Sequence, residues 1–149
     1  ADVPMFLRGG HALAFALTRH RSPAAQLTRS DLSLLLLLDG LNASKGYVYV
    51  DDGTGHAALS ATGRYRLYHV SLRPDDGHGC SVAITPVDAR TVAADALGIA
   101  ADAVTHVVAP DPTWSATRVV REIRLVGVPT AWMHRARAAH VNSWTPDKK

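Results

Sequence analysis

The sequence predicts an all-β fold, arranged as an antiparallel β-sandwich or as two small β-domains, with one short helix. Short apolar runs recur at intervals of roughly ten residues between turn residues, which is typical of such folds. Tyrosine and valine alternate from Tyr47 to Val50, as in a half-buried strand. A single alanine-rich stretch supplies the one helical candidate.

The strand candidates are Val3 to Leu7, His11 to Leu17, Leu32 to Leu38, Tyr47 to Val50, Tyr65 to Leu72, Ser81 to Thr85 and Arg118 to Val126. Leucine favours helix, but the leucine run is short and ends at Asp39-Gly40. We therefore interpret it as a strand covered on both faces, because it does not alternate. The turn from Asn42 to Gly46 would make this strand and Tyr47 to Val50 neighbours in a sheet.

The helix is predicted within Asp88 to Val104, with Asp88 as its cap and Gly98 as its stop. We place a domain boundary after residue 58, which divides the chain into a proximal β-domain (1–58, partial) and a distal, sandwich-like domain (59–149, incomplete or finished differently).

Composition excludes several classes of protein. The 149 residues are 47% hydrophobic and 19% charged, with a net charge of +3, which indicates a soluble globular chain. The run Leu34 to Leu38 is far below the roughly 18 apolar residues of a membrane span, and residues 1–10 lack the pattern of a secretion signal. Lysines and arginines are scattered without a recognition motif, so we expect no nucleic-acid partner. Cys80 is the only cysteine, which excludes an internal disulfide.

No pattern of catalytic, cofactor-binding or metal-binding residues is convincing, and we predict none of these sites. Asp51-Asp52 could be paired carboxylates, but neighbours on a strand point to opposite faces, which favours a hairpin-type turn. A metal cluster of Asp75, Asp76, His78 and Cys80 lacks a second ligand pair, so a solvated turn is the preferred interpretation.

Two further patterns concern carbohydrate. Trp114, Trp132 and Trp144 could stack on sugar rings, although core or interface positions are the preferred interpretation. Asn42-Ala43-Ser44 matches the acceptor pattern for N-glycosylation, a pattern of low specificity.

Five segments in order carry a resemblance to a known family: "VPMFLRGG" (Val3 to Gly10), "TRHRSP" (Thr18 to Pro23), "SDLSLLLLLDGLNASKGYVYVDDG" (Ser30 to Gly53), "RYRLYHVSL" (Arg64 to Leu72) and "RVVREIRLVG" (Arg118 to Gly127). They resemble the C-terminal β-region of the α-glucosidases of glycoside hydrolase family 31, and within it the glucosidase II α-subunits of the endoplasmic reticulum. Residues 77–115 have no counterpart in that pattern.

The resemblance implies that this chain is a non-catalytic module of a larger retaining α-glucosidase. The family's catalytic aspartates lie on an upstream barrel, and nothing here matches their motifs. The implied partners are the catalytic barrel of the same parent chain, an accessory β-subunit and, through the parent, glucosylated N-glycans. The implied location is the lumen of the endoplasmic reticulum. The alternative is a free-standing β-sandwich that binds carbohydrate or another protein.

Overall fold

The computed structural model describes residues 6–17, 31–75, 79–114 and 120–133. The strands in these ranges are β1 (His11–Ala16), β2 (Leu32–Leu37), β3 (Ser44–Asp51), β4 (Tyr65–Pro74), β5 (Cys80–Val87) and β6 (Val120–Val126). The helices are α1 (Ala89–Leu97) and the short α2 (Thr130–Met133), with a π-helical turn at Ala58–Thr62 and a 3₁₀ turn at Ala101–Ala103. The prediction of an all-β fold with a short helix is confirmed.

The six strands form one mixed sheet in the order β5-β4-β3-β1-β2-β6. The pairs β1–β2, β3–β4 and β4–β5 are antiparallel, whereas β1–β3 and β2–β6 are parallel. The expectation of a purely antiparallel sheet is therefore wrong, and the second layer of a sandwich stays a prediction. The sheet includes strands from both sides of residue 58, and the division into two domains also stays a prediction.

The leucine strand and the tyrosine strand are not neighbours, which corrects the sequence-based expectation. Both edges of β2 are occupied, because β1 pairs along its whole length and β6 pairs on the other side. After the turn at Asp39–Ala43 the chain crosses to the far edge of β1, where β3 begins. Gly46 permits this placement, since a Cβ there would lie 2.5 Å from the carbonyl oxygen of Ala12. A side chain at residue 46 would push β1 and β3 apart.

The larger core lies on one face of the sheet, which we call the inner face. Its buried residues come from four adjacent strands and the residue after β2: Ala12, Leu32, Leu34, Leu36, Leu38, Val48, Val50, Tyr68, Val70 and Leu72. Three of the leucines alternate along β2 and are almost completely buried, so this strand forms the centre of the core. On the other face of the strand, Ser33 and Leu37 are also buried, whereas Leu35 is half-buried. The uninterrupted leucine run had led us to interpret this strand, β2, as covered on both faces.

A second, smaller core lies on the opposite face, against the start of β4. It contains Ala58, Tyr65, Ala89, Ala94, Val104 and Val107. Helix α1 supplies Ala89 and Ala94, and the π-helical turn supplies Ala58. The helix begins as predicted, because the Asp88 side chain accepts a hydrogen bond from Arg90 N at 3.0 Å. Gly98 ends the helix in the left-handed conformation (φ 67°). The helix is shorter than the alanine-rich stretch, which continues into the 3₁₀ turn.

Residues 104–114, which we call the strap, are fastened to the sheet through their backbone carbonyls. The Tyr65 hydroxyl donates to Val108 O at 2.7 Å, and Arg90 Nε donates to Val107 O at 2.7 Å. The Arg66 guanidinium donates to the carbonyl oxygens of Asp111 and Trp114. Tyr65 and Arg66 begin β4 and Arg90 lies in α1, so these donors hold a segment that has no strand of its own against the start of β4 and the helix.

The predicted strands from His11 to Val126 correspond to strands wherever the structure describes them, whereas Phe6 and Leu7 are not in a strand. Val3 to Met5, Arg118 and Val119 lie outside the described residues. The π-helical turn and α2 were not predicted. In the described ranges, α1 and α2 are both too short to cross a membrane.

Candidate functional site

The surface most open to a partner is the part of the sheet that neither core covers. Alternation along the strands sends a second set of side chains to the side opposite the inner face. The apolar and aromatic members of this set that are not buried are Leu13, Phe15, Leu35, Tyr47, Tyr49 and Val126, and we call these six residues the outer face. Four of its members are exposed to 40% or more: Phe15, Tyr47, Tyr49 and Val126. Large apolar side chains left open on adjacent strands are a feature of interaction surfaces.

The aromatic part of the outer face lies on β1 and β3. Tyr47 is 53% exposed, and its ring lies 5.3 Å from the ring of His69, across the β3–β4 pair. Tyr49 stacks on Tyr65 at 5.9 Å, with an angle of 23° between the rings. Burial, followed by the nearby Asp51 carboxylate, raises the pKa of Tyr49 to about 12. Tyr49 therefore presents an apolar ring that ends in a neutral hydroxyl group.

Charged residues border the outer face on β6. Arg124 Nε lies 2.8 Å from Glu122 Oε1, and Ser33 Oγ donates to Glu122 Oε2 at 3.2 Å. The hydrogen bond from Arg124 holds the pKa of Glu122 below its usual value. Arg121 pairs with Asp31 at the start of the same strand. Glu122, Arg124 and Val126 are alternate residues of β6, so charged side chains lie on the same face as the apolar ones, as at many protein interfaces.

Asp51 and Asp52 do not face a common substrate site. Asp51 Oδ1 accepts from Gly53 N at 3.1 Å, and Asp52 Oδ1 accepts from Thr54 N at 3.0 Å and from Thr54 Oγ1 at 2.6 Å. The Thr54 hydroxyl and amide lower the pKa of Asp52. Both carboxylates thus organise the chain as it leaves β3. The connection to β4 contains the π-helical turn, so it is longer than the predicted hairpin turn.

The metal interpretation gains no support in the described residues. No group of three or more metal-binding side chains occurs among them. Asp76 and His78 lie outside the described residues. Cys80 is half-buried at the start of β5, and burial, with a contribution from Asp75, raises the pKa of its thiol. A thiol held neutral in this way is a poor nucleophile and a poor metal ligand.

Trp114 and Trp132 are half-buried and pack against the larger core. The Arg66 guanidinium lies over the Trp114 ring, 5.4 Å from its centre, so this ring is already covered. Trp144 lies outside the described residues. Among the described residues, Phe6 is 92% exposed ahead of β1, and the other aromatic rings exposed to 40% or more are Phe15, Tyr47 and Tyr49 on the outer face. Sequence reasoning missed them as a group, although the Tyr-Val-Tyr-Val alternation indicates that the tyrosines share the face opposite the valines.

Asn42 lies half-buried in the turn between β2 and β3 and has a left-handed backbone (φ 58°). Ser44, the third residue of the acceptor pattern, is 3% exposed, and its hydroxyl has no hydrogen-bond partner. The structure therefore separates the two residues that the glycosylation pattern requires, one at the surface and one inside the sheet.

Neither the known family models nor the curated protein sequences contain a significant match to this chain.

Proposed function

We propose that this chain is a non-catalytic C-terminal β-module of a larger α-glucosidase of glycoside hydrolase family 31. The parent would hydrolyse α-glucosidic bonds and trim glucose from N-linked glycans in the lumen of the endoplasmic reticulum. The module supports the catalytic barrel of the same parent chain, and an accessory β-subunit is a further partner. The proposal rests on the resemblance of the five segments and on one structural observation.

That observation is the outer face. Phe15, Tyr47 and Tyr49 together expose roughly 300 Å² of mostly apolar surface, taking aromatic side chains at about 200 Å² each. At about 25 cal/mol per Å², covering this area would contribute on the order of 7 kcal/mol before the costs of ordering. A module whose role is to hold a neighbouring domain in place requires such a surface. Apolar patches of about 300 to 600 Å² also occur on monomers, where they are often functional, so the outer face supports a partner surface and the resemblance supplies the identity of that partner.

The first experiment asks how large the natural protein is. The endogenous protein is captured from its source cells with an antibody against this chain, and its intact mass is measured. A species several times heavier than 15.9 kDa that hydrolyses aryl α-glucosides supports the proposal. A species of 15.9 kDa contradicts it.

The second experiment tests the outer face within that parent. Phe15→Ser should reduce the yield of soluble, active parent enzyme. In the isolated chain the same change should alter stability by less than about 1 kcal/mol, because the ring is 48% exposed there. Leu97→Ser is the matched control, since Leu97 is 61% exposed at the end of α1 and outside the outer face. Equal losses for the two parent variants would contradict the assigned surface.

Calorimetric titration of the isolated chain separates the module from a carbohydrate-binding protein. We expect no heat with glucose oligomers. Binding that disappears in Tyr47→Ala would instead identify the exposed tyrosines as a sugar-stacking platform and would refute a purely supporting role.

A further inference from the structure

The β2–β3 turn carries the only Asn-X-Ser/Thr triplet in the sequence, Asn42-Ala43-Ser44. Serine and threonine have a hydroxyl group in common, so the acceptor pattern requires access to a hydroxyl two residues after the asparagine. Whether Asn42 can accept a glycan thus depends on where the structure places the Ser44 hydroxyl.

In the folded chain the enzyme that attaches the glycan cannot reach that hydroxyl. Ser44 is the first residue of β3, pairs with Leu72 on β4 and is 3% exposed. Its Oγ is buried without a hydrogen-bond partner. Exposing it would require β3 to separate from β4 at this end of the sheet.

The backbone of the triplet is also fixed. Asn42 N donates to Asp39 O at 3.0 Å, and Asp39 N donates to Ala43 O at 3.0 Å. The Asp39 carboxylate accepts from Leu41 N at 2.8 Å and from Ala43 N at 3.0 Å. An enzyme that binds the triplet in an extended form would have to break these hydrogen bonds.

A glycan already attached to Asn42 is nevertheless compatible with the fold. Asn42 lies in an outer turn beside Leu41, which is 79% exposed, and a Cβ added to Gly40 would meet nothing within 4 Å. Open space therefore lies beside the half-buried Asn42, at residues 40 and 41, whereas Ser44 is buried in the sheet and does not admit an enzyme.

We propose that Asn42 is an N-glycosylation site that accepts its glycan only while the chain is unfolded, before the β2–β3 turn closes and buries Ser44. Occupancy in the natural protein rests on the proposed location in the endoplasmic reticulum. Attachment of the glycan transfers an oligosaccharide from a lipid pyrophosphate donor to the Asn42 side-chain nitrogen, which loses a proton as the pyrophosphate leaves.

In the first arm of the test, an added secretion signal directs the chain into the endoplasmic reticulum. The full chain is expressed in mammalian cells behind a cleavable secretion signal, and its mass is measured before and after treatment with an amidase that removes N-linked glycans. We expect a single glycan on most molecules. Asn42→Gly suits the left-handed backbone and should carry none. Ser44→Ala should also carry none and should unfold within about 2 °C of the wild type, because the lost hydroxyl has no partner.

The second arm tests the requirement for an unfolded chain. Unglycosylated, folded protein is incubated with purified oligosaccharyltransferase and its lipid-linked donor, beside the core variant Leu36→Ala. The variant should be modified on the order of a hundred times faster, because the loss of a buried leucine raises the unfolded fraction by at least that factor. The folded wild type should remain unmodified.

Two results would overturn the inference. One is secreted wild-type chain without a glycan, and the other is folded wild type modified as fast as Leu36→Ala. Neither result bears on the α-glucosidase module, since the appended signal directs the chain to the secretory pathway whatever its parent is. Conversely, a natural species of 15.9 kDa would refute the module and leave both arms of this test intact.

Discussion

Replacing Tyr65 by phenylalanine should loosen the strap and destabilise the whole chain. The Tyr65 side chain is completely buried, and its hydroxyl donates to Val108 O at 2.7 Å. The phenyl ring can keep the packing in the smaller core, so the loss is that of one hydrogen bond. It also leaves the Val108 carbonyl without this donor. Such a change costs about 1 to 3 kcal/mol, which corresponds to roughly 2 to 4 °C in melting temperature per kcal/mol for a chain of this size.

The assay is urea unfolding followed by tyrosine fluorescence and circular dichroism, with Tyr47→Phe as the control. Tyr47 loses the same hydroxyl, but its ring is 53% exposed on the outer face, so its free energy of unfolding should change by less than about 0.5 kcal/mol. If Tyr65→Phe were as stable as Tyr47→Phe, the hydrogen bond to the strap would contribute nothing and the reasoning would be refuted.

The remaining predictions concern the core, a glycine and pH. Leu36→Ala should cost about 3 to 5 kcal/mol in urea unfolding, because Leu36 is fully buried in the larger core, and a loss below about 1 kcal/mol would contradict that burial. Gly63→Ala should cost more than about 2 kcal/mol, since φ is +68° and the new Cβ would lie 2.5 Å from Ala109 O. In Gly40→Ala the new Cβ would meet no atom, so the melting temperature should not change. Similar melting temperatures for the two variants would be evidence against the close approach of residue 63 to Ala109 O. Hydrogen bonds from Ala43 N and Leu41 N lower the pKa of Asp39, so its stabilising contribution is present at neutral pH and is lost as the pH falls from about 5 to 2. In Asp39→Asn, the free energy of unfolding should therefore fall less steeply as the pH is lowered. An unchanged pH dependence would refute the stabilising role of the Asp39 carboxylate.

Local sequence patterns predicted where the strands and the helix lie, but not how the strands pair. The alternation of Tyr47 to Val50 and the Asp88 and Gly98 signals are short-range, so they can be read from a few residues. The insertion of β1 between β2 and β3 depends on which edges are free after the other strands have paired. Gly46 was the one local sign of it, because a glycine inside a strand often marks a close approach of two backbones.

The outer face could be predicted only in part, for the same reason. Alternation alone places Tyr47 and Tyr49 on one face of β3. That Phe15 shares this face depends on the β1–β3 pairing, which no local pattern indicated. The glycosylation triplet was recognisable from sequence, whereas the burial of Ser44 follows from its pairing with β4, about thirty residues further along the chain.

The pairing of β2 with β6 has a consequence for the chain as it is made. Leu32 is synthesised roughly 90 residues before its partner Val120. At about 5 to 20 residues per second, one edge of the leucine strand lacks its partner for about 5 to 18 s after that strand is made. An uncovered strand of consecutive leucines readily pairs with other chains. We therefore expect truncated chains that end before Val120 to aggregate or to be held by chaperones, and release should require completion of β6.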